Sequence, residues 1–392
     1  MAHSPSPQAS PPHAILPDAG HRLALIEQAR RSIMFGLDAP GARDSPGVEG
    51  WIERSWRRCL SIGLRPEEPL AFELVSSQAR RRAREANQQL VEAATPVMEN
   101  LGRAVAGTRY FAILTNAAGM VVDVNGHIDR SDRRAQMITR IGVDLSESRA
   151  GTTAISAALA ELQPVWLHRN EHFFNDTSAF SCAAAPLFGP DGHCAGMLDL
   201  TGVDVPERPE LKHLVAQAAR QVENALTLQQ PHSLLLRLNW PGVLHGGENE
   251  GLVCVSADGR ITGVNRNARQ MFAQLAPGPV ETLPHCNEVF AMPFEVLFDA
   301  ARRAVDRGPL EVPLWSGLRL DVWPQLPLQA AGREQAGSGP ATTPRALREI
   351  GDALIRNAVN DAKGNVLRAA KTLGISRATV YRRLGVANRR KG

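Results

Sequence analysis

No stretch of this 392-residue chain approaches the ~20 consecutive apolar residues that a helix needs to cross a bilayer, so no membrane class is indicated. Cysteine is scarce and scattered. Cys59, Cys182, Cys194, Cys254 and Cys286 are odd in number and form no close pair, which speaks against a disulfide framework and against a Cys-x-x-Cys metal knuckle. They read as packing residues in a reducing compartment. Also missing are a Gly-x-Ser-x-Gly nucleophile elbow, paired catalytic carboxylates, the kinase motifs and any internal repeat. The first twenty residues, rich in Pro, Ser and His, lack the basic start and apolar centre of a signal peptide and are expected to be a disordered tail. These absences leave a cytoplasmic protein that is not an enzyme and for which no metal and no cofactor is expected.

The hydrophobic share of 43% and charged share of 21% sit near globular averages, and the length exceeds what one core usually holds, so two or three domains are expected. Net charge is +4, but residues 344–392 alone carry +9, which leaves −5 for the rest. A basic end on a mildly acidic body is the charge pattern of a nucleic-acid-binding module with an attached regulatory part. Three composition breaks divide the chain: the amino-terminal tail, a bridge at residues 229–247 where neither helix nor strand period persists, and a Pro-, Gln- and Gly-rich linker at 324–343.

Between the tail and the bridge the patterns alternate. Residues 73–101 have helix-forming composition. Two β-type runs, residues 110–115 and 120–124, flank Asn116-Ala-Ala-Gly119, and a second pair, 182–188 and 193–200, flanks Gly189-Pro-Asp-Gly192; both are hairpin signals. Residues 211–228 have apolar positions at helical spacing. A third strand-turn-strand follows at 251–256 and 260–265, then a helix-like stretch at 268–275. Hairpin strands between helices predict antiparallel sheets in an α+β fold.

The strongest local signal lies in the basic end. Asn365 is placed to cap a helix whose apolar stripe is Val366, Ala369, Ala370 and Leu373, Gly374 supplies the positive φ that ends it, and Ser376 caps a second helix anchored by Val380. An upstream amphipathic helix with Ile350, Leu354, Ile355 and Ala358 covers the remaining apolar face. This is a helix-turn-helix, and its second helix carries the candidate DNA contacts Ser376, Arg377, Thr379, Tyr381, Arg382 and Arg383. Arg377 is the first candidate for two-point recognition of guanine, worth roughly 1 to 3 kcal/mol of discrimination, and Arg382 the next.

These residues resemble the Fis-type helix-turn-helix that closes bacterial enhancer-binding activators. Upstream, Ser55-Trp56-Arg57-Arg58-Cys59, Gly151-Thr152-Thr153-Ala154-Ile155, Glu171-His172-Phe173, residues 181–186 and Leu198-Asp199-Leu200-Thr201-Gly202 resemble the GAF-type sensor region of acetoin-catabolism regulators, and residues 251–275 resemble the start of a PAS-type domain. The resemblance implies a multidomain α+β protein: a disordered tail (1–20), a helical segment (21–70), a GAF-like antiparallel α/β sensor (71–230), a PAS-like α/β domain (246–325), a flexible linker (326–343) and an all-α helix-turn-helix (344–392). Full-length members of the sigma-54-dependent family place an ATPase between sensor and helix-turn-helix. Its Gly-x-x-x-x-Gly-Lys-Ser/Thr loop is not in this sequence. Leu145 stands where the family usually has tryptophan, Thr153 where it has asparagine and Ser156 where it has glycine.

The expectation is therefore a regulator that binds double-stranded DNA as a homodimer, senses a small-molecule effector in the GAF-like domain, and does not hydrolyse ATP. The alternative is an interaction protein that hetero-associates with full-length activators and modulates them. Two further groups have ligand-type chemistry: His168 and His172, four apart, as metal ligands on one helix face, and His285 with Cys286 as holders of a haem or other cofactor. Both read better as packing residues, with His172 either structural or pocket-lining, and Cys182 reads as buried rather than reactive.

Overall fold

A computed structural model describes residues 19–35, 48–72, 75–243, 245–247, 249–303 and 308–327, together with Val366 and Ala370. Two compact units divide the chain, Met1–Pro327 and Leu328–Gly392. In the second, Val366 and Ala370 are helical, at positions that fall within the first helix expected of the helix-turn-helix. The six candidate DNA contacts lie outside the described residues.

The first unit contains two five-stranded antiparallel sheets. Ahead of them come helices α1 (Ala19–Met34), α2 (Gly50–Ser61), α3 (Ser77–Ala86) and α4 (Gln88–Ala104). The helical run expected at 73–101 is thus two helices, parted at Asn87, whose side chain donates to the Ala83 carbonyl. Strands β1 (Tyr110–Asn116) and β2 (Val121–Gly126) form the first expected hairpin, turned at Gly119 with φ +80°. Helices α5 (Arg133–Ile138), α6 (Glu147–Ala150) and α7 (Ala154–Glu161) lead to β3 (Val165–His168), and the second expected hairpin is β4 (Phe180–Phe188) with β5 (Cys194–Val203). The sheet order is β2-β1-β5-β4-β3.

Because side chains alternate along a strand, this sheet has two differently covered faces. Ala112, Leu114, Ala183, Leu198 and Leu200 face α4 and α8 (Leu211–Leu228) through Leu90, Ala94, Met98, Val215 and Val222. On the other face Phe111, Ile113, Cys182, Ala184 and Met197 share a core with Ile26 of α1, Trp56 of α2 and Ile155 of α7.

The second sheet has the order β8-β7-β6-β10-β9, from β6 (Leu234–Asn239), β7 (Gly251–Val255), β8 (Ile261–Val264), β9 (Leu310–Pro313) and β10 (Arg319–Gln325). Helices α9 (Arg266–Met271), α10 (Cys286–Val289) and α11 (Phe294–Arg303) lie between β8 and β9, with Phe272, Phe290 and Leu297 in the core against the sheet. The bridge at 229–247 therefore contains a strand, and a central one. Leu234-Leu-Leu-Arg-Leu showed no period because a strand between two partners is apolar on both faces: Leu234, Leu236 and Leu238 enter the main core, and Leu235 joins Leu252 and Cys254 on the opposite face. There Cys254 Sγ lies 3.3 Å from the Thr227 carbonyl at the end of α8, and Asn265 donates to Asn224 Oδ1 at 2.8 Å. Helix α8 thus touches both sheets. Among the described residues no helix is long and apolar enough to cross a membrane.

Candidate functional site

The covered face of the first sheet holds a small cavity, about 30 Å³, lined mostly by apolar side chains, including Leu70, Phe72, Ile113, Leu145, Ile155 and Phe180. Asp199 and Thr201, two apart on β5, project from the same face into its wall, beside Ile113 and Cys182 on the neighbouring strands. Asp199 is fully buried. Its Oδ2 accepts from Thr201 Oγ1 at 2.5 Å, whereas Oδ1 has no partner among the described residues. Burial pushes the carboxyl up to about 7, against a smaller opposing pull from the Thr201 hydrogen bond.

His172 also belongs to the lining. Its Nδ1 lies 2.9 Å from the Arg169 carbonyl oxygen, which can only accept, so the proton sits on Nδ1 and Nε2 presents a lone pair. That Nε2 is buried without a partner. Burial pulls the imidazole down to about 4, so the ring is neutral at neutral pH. Two buried polar atoms, Asp199 Oδ1 and His172 Nε2, are thus without a partner among the described residues, in a protein interior where such groups are normally satisfied. Cys182 is buried as expected, and burial raises its thiol well above the usual range, so it is not a thiolate nucleophile.

The segment carrying His172 is clamped from two helices. Arg30 of α1 donates to the carbonyls of Asn170 at 3.3 Å and His172 at 2.5 Å, to that of Phe173, and to Asn175 Oδ1 at 3.1 Å. Trp56 Nε1 of α2 donates to the Glu171 carbonyl at 2.9 Å. Glu171 turns inward, accepting from the His168 backbone N–H at 2.6 Å and pairing with Arg22; burial lifts its carboxyl to about 7 despite that cation. His168 stacks flat on Trp166, with centroids 5.9 Å apart, and Arg22 caps the Trp166 ring at 4.7 Å.

His168 and His172 share no helix face: His168 ends β3, a single 3₁₀ turn spans Arg169–Glu171, and His172 is extended. Arg169 in that turn has φ +51°, a conformation no helix through both histidines permits. Among the described residues no group of three or more His, Cys, Asp or Glu is placed to hold a metal.

Motifs distant in sequence meet at this site. Ser55 Oγ lies 2.7 Å from Thr152 Oγ1 and donates to Glu147 at 2.5 Å, and Arg58 of the same helix grips Glu147 at 2.9 Å. Gly151, at φ +63°, lies where a Cβ would fall 2.8 Å from Phe173. Thr153 then caps α7 reciprocally with Ser156: the Thr153 oxygen accepts from the Ser156 N–H at 3.1 Å and the Ser156 hydroxyl accepts from the Thr153 N–H at 2.9 Å.

His285 and Cys286 are not brought to a common site. Cys286 is buried in the core of the second sheet, where burial pushes its thiol to about 12. His285 caps α10, its Nδ1 accepting from the Asn287 N–H at 3.2 Å and its Nε2 lying 2.8 Å from the Asp258 carbonyl, so both ring nitrogens are engaged. Sequence reasoning left His172 as either a structural or a pocket-lining residue and assigned no role to Asp199. The available signal was a carboxylate in the middle of the apolar run Gly196-Met-Leu-Asp199-Leu-Thr-Gly202.

Residues 29–224 match the family described as MimR, N-terminal domain, and residues 346–385 match the bacterial regulatory proteins of the Fis family. The acetoin catabolism regulatory protein of Cupriavidus necator is 32% identical over 259 residues, which is 64% of this chain and 37% of that protein. A second relative, the propane 2-monooxygenase operon transcriptional activator MimR of Mycolicibacterium goodii, is 26% identical over 188 residues, 47% of this chain and 31% of that one. The matched stretch thus spans about a third of the length of these regulators. Among solved structures, the E. coli DhaR(N)–DhaL complex is similar at a TM-score of 0.43 and 16% identity, over 70% of this chain and 92% of that one.

Proposed function

Because this chain belongs to the family of the MimR N-terminal domain, we propose that it is a transcription regulator that reads a DNA sequence through residues 344–392 and is governed by a GAF-like sensor at residues 71–230. The observation that carries the reading is the Fis-family match at 346–385, coinciding with the segment of net charge +9. Phosphates attract such a segment regardless of sequence, whereas Arg377 and Arg382 near the start and middle of the second helix address base edges. One recognition helix spans only a few base pairs. A homodimer placing two such helices about 34 Å apart would read half-sites one turn apart. The second sheet is taken as PAS-like, with β6 as its first strand, and residues 326–343 as the linker.

Residues 1–392 contain no phosphate-cradling Gly-x-x-x-x-Gly-Lys-Ser/Thr loop, so ATP hydrolysis is not part of the proposal. That same observation favours a second reading, a modulator that associates with full-length activators through the sensor. Selection of DNA from a random oligonucleotide pool separates the two, using the purified chain beside an Arg377→Ala, Arg382→Ala variant. The expected result is a two-fold symmetric site enriched by the parent and lost by the variant. Weak, salt-sensitive binding without a preferred site, together with co-purification of an ATPase-bearing homologue, would transfer the assignment to the modulator.

A further inference from the structure

We propose that a second cavity beside the first sheet, between α3, the end of β2 and α5, receives a phosphate monoester of metabolite size, its phosphoryl oxygens held by Arg80, Arg130 and Arg140. The inference rests on the reading of this unit as a sensor and adds the chemistry of what it senses.

Charges on this side of the sheet are unevenly paired. Residues 76–142 hold ten arginines and six aspartates or glutamates, in a body whose net charge is negative. Other acids of these elements are already engaged. Asp123 of β2 pairs with Arg84 at 2.8 Å, Asp132 with Arg134 at 2.8 Å and Glu85 with Arg81 at 3.5 Å, and none of those three arginines lines the cavity. Arg80, Arg130 and Arg140 do line it, and they pair with no carboxylate among the described residues; Arg140 reaches only the carbonyl oxygens of Met137 at 3.3 Å and Phe72 at 3.4 Å. The one acid in the lining among the described residues is Asp129, whose Oδ1 accepts from the Ser131 N–H at 2.8 Å and from its hydroxyl at 2.6 Å. Three cations against one anion leave the lining with a surplus of two positive charges, His127 not counted.

Separate parts of the chain present the three guanidinium groups. Arg80 stands exposed on α3, Arg130 follows β2 in a loop that Gln136 fastens to α5 by donating to the Arg130 carbonyl, and Arg140 is half-buried just past α5. Guanidinium forks suit oxyanions with several acceptors, and a phosphate monoester brings three such oxygens with about two negative charges at pH 8. That matches the surplus, whereas a monocarboxylate offsets only part of it. At about 890 Å³ the cavity lies within the range of about 300 to 1,000 Å³ typical of small-molecule sites, which leaves room for more than a phosphate ion, and Val124 and Ile128 offer apolar surface to an organic part.

Calorimetric titration of the full chain at about pH 8 and low ionic strength with phenyl phosphate, phthalate, benzoate and phenol tests this, since the four share one ring and differ in the number and grouping of anionic oxygens. Phenyl phosphate is expected to saturate, with benzoate weaker by about tenfold or more and phenol not binding measurably. Arg80→Gln and Arg130→Gln, both at exposed positions, should each weaken phenyl phosphate about three- to tenfold, whereas Arg82→Gln, which removes the same charge from α3 outside the lining, should change it by less than about twofold. Phthalate binding as tight as that of phenyl phosphate, equal losses in Arg80→Gln and Arg82→Gln, or no saturable binding of phenyl phosphate by the parent would each overturn the proposal. So would an equal loss of affinity for a random-sequence DNA duplex in the two cavity variants, which would reassign the groove to a nucleic-acid backbone. Selection of DNA with the same preparation reports separately on the regulator reading, which survives any of these outcomes.

Discussion

At neutral pH a carboxylic acid in water is ionised, and folding moves that of Asp199 into a fully buried strand where ionisation is disfavoured. Its ordinary value of 3.8 rises to about 7, so between those values the folded chain keeps a proton that the unfolded chain releases. Stability contributed by this group is therefore present below pH ~4, declines as pH rises towards 7 and is level above it. His168 and His172, pulled down to about 4 by burial, act oppositely: between pH ~4 and ~6.5 the unfolded chain takes up protons the fold excludes, so stability falls as pH drops. Glu171 and Glu223, also lifted to about 7 by burial, act in the same sense as Asp199, so in the parent protein the carboxyl and imidazole effects overlap and offset each other only in part. Comparison with Asp199→Asn isolates the carboxyl. The variant should gain on the parent progressively from pH 5 to 8, by roughly a few kcal/mol at the top, in urea denaturation at each pH. A difference independent of pH would show that Asp199 does not titrate between those limits. The residue's place on β5 was legible in the sequence, since alternation puts 199 and 201 on one face; its isolation was not, because the covering side chains come from helices far away in sequence. The departures from the family pattern also acquire a physical sense. Thr153 and Ser156 form a mutual cap, so the two changes compensate each other, and Leu145 lines the cavity where the family usually has tryptophan.

Among elements, α1 is held to the first sheet by a few specific contacts. At 16 residues it is barely past the length below which even an Ala-rich helix is marginal in water, and it is fastened by Ile26 and Ile33 in the core and by Arg30 across the chain segment 170–175. Replacing Arg30 by Ala leaves several buried carbonyl oxygens without a donor, and the loss should be about 3 kcal/mol. Hydrogen exchange distinguishes this from general loosening: protection should fall first at residues 20–34 and 169–175, while β1, β4 and β5 keep theirs. Uniform loss across the first sheet would mean that α1 is part of the same cooperative unit. Hairpins were the most legible elements. Their turns, Asn116-Ala-Ala-Gly119 and Gly189-Pro-Asp-Gly192, carry local chemistry that needs no tertiary information. Strand β6 had no such marker, and its two buried faces removed the alternation by which a strand is recognised. The helix at 211–228 was legible over its full length because one face meets β4 and α4 while the other stays wetter.

At the scale of the whole molecule, a ligand in the cavity changes DNA binding only if it favours one of two conformations that hold the DNA-binding segments differently. A physical route out of the first sheet exists. Helix α8 packs on β4 and β5, accepts the Phe188 N–H on Glu223 at 3.0 Å, and touches the second sheet through Thr227 and Asn224. Beside it Arg269 of α9 donates to the Pro190 carbonyl of the β4–β5 hairpin at 2.6 Å and to the carbonyls of Leu275 and Ala276 at 2.7 and 2.9 Å. Contact alone does not establish coupling; a measured free energy does. Linkage demands that the factor by which a ligand of the first sheet alters affinity for a selected operator equal the factor by which operator DNA alters affinity for that ligand, and coupled sites commonly differ by about 5- to 150-fold. Arg269→Ala removes the grip on the hairpin without touching the cavity lining. It should leave the ligand affinity of the free protein within about twofold and bring both factors towards one. Unchanged coupling in that variant would place the route through α8 alone, and loss of ligand affinity would show that the second sheet shapes the cavity itself.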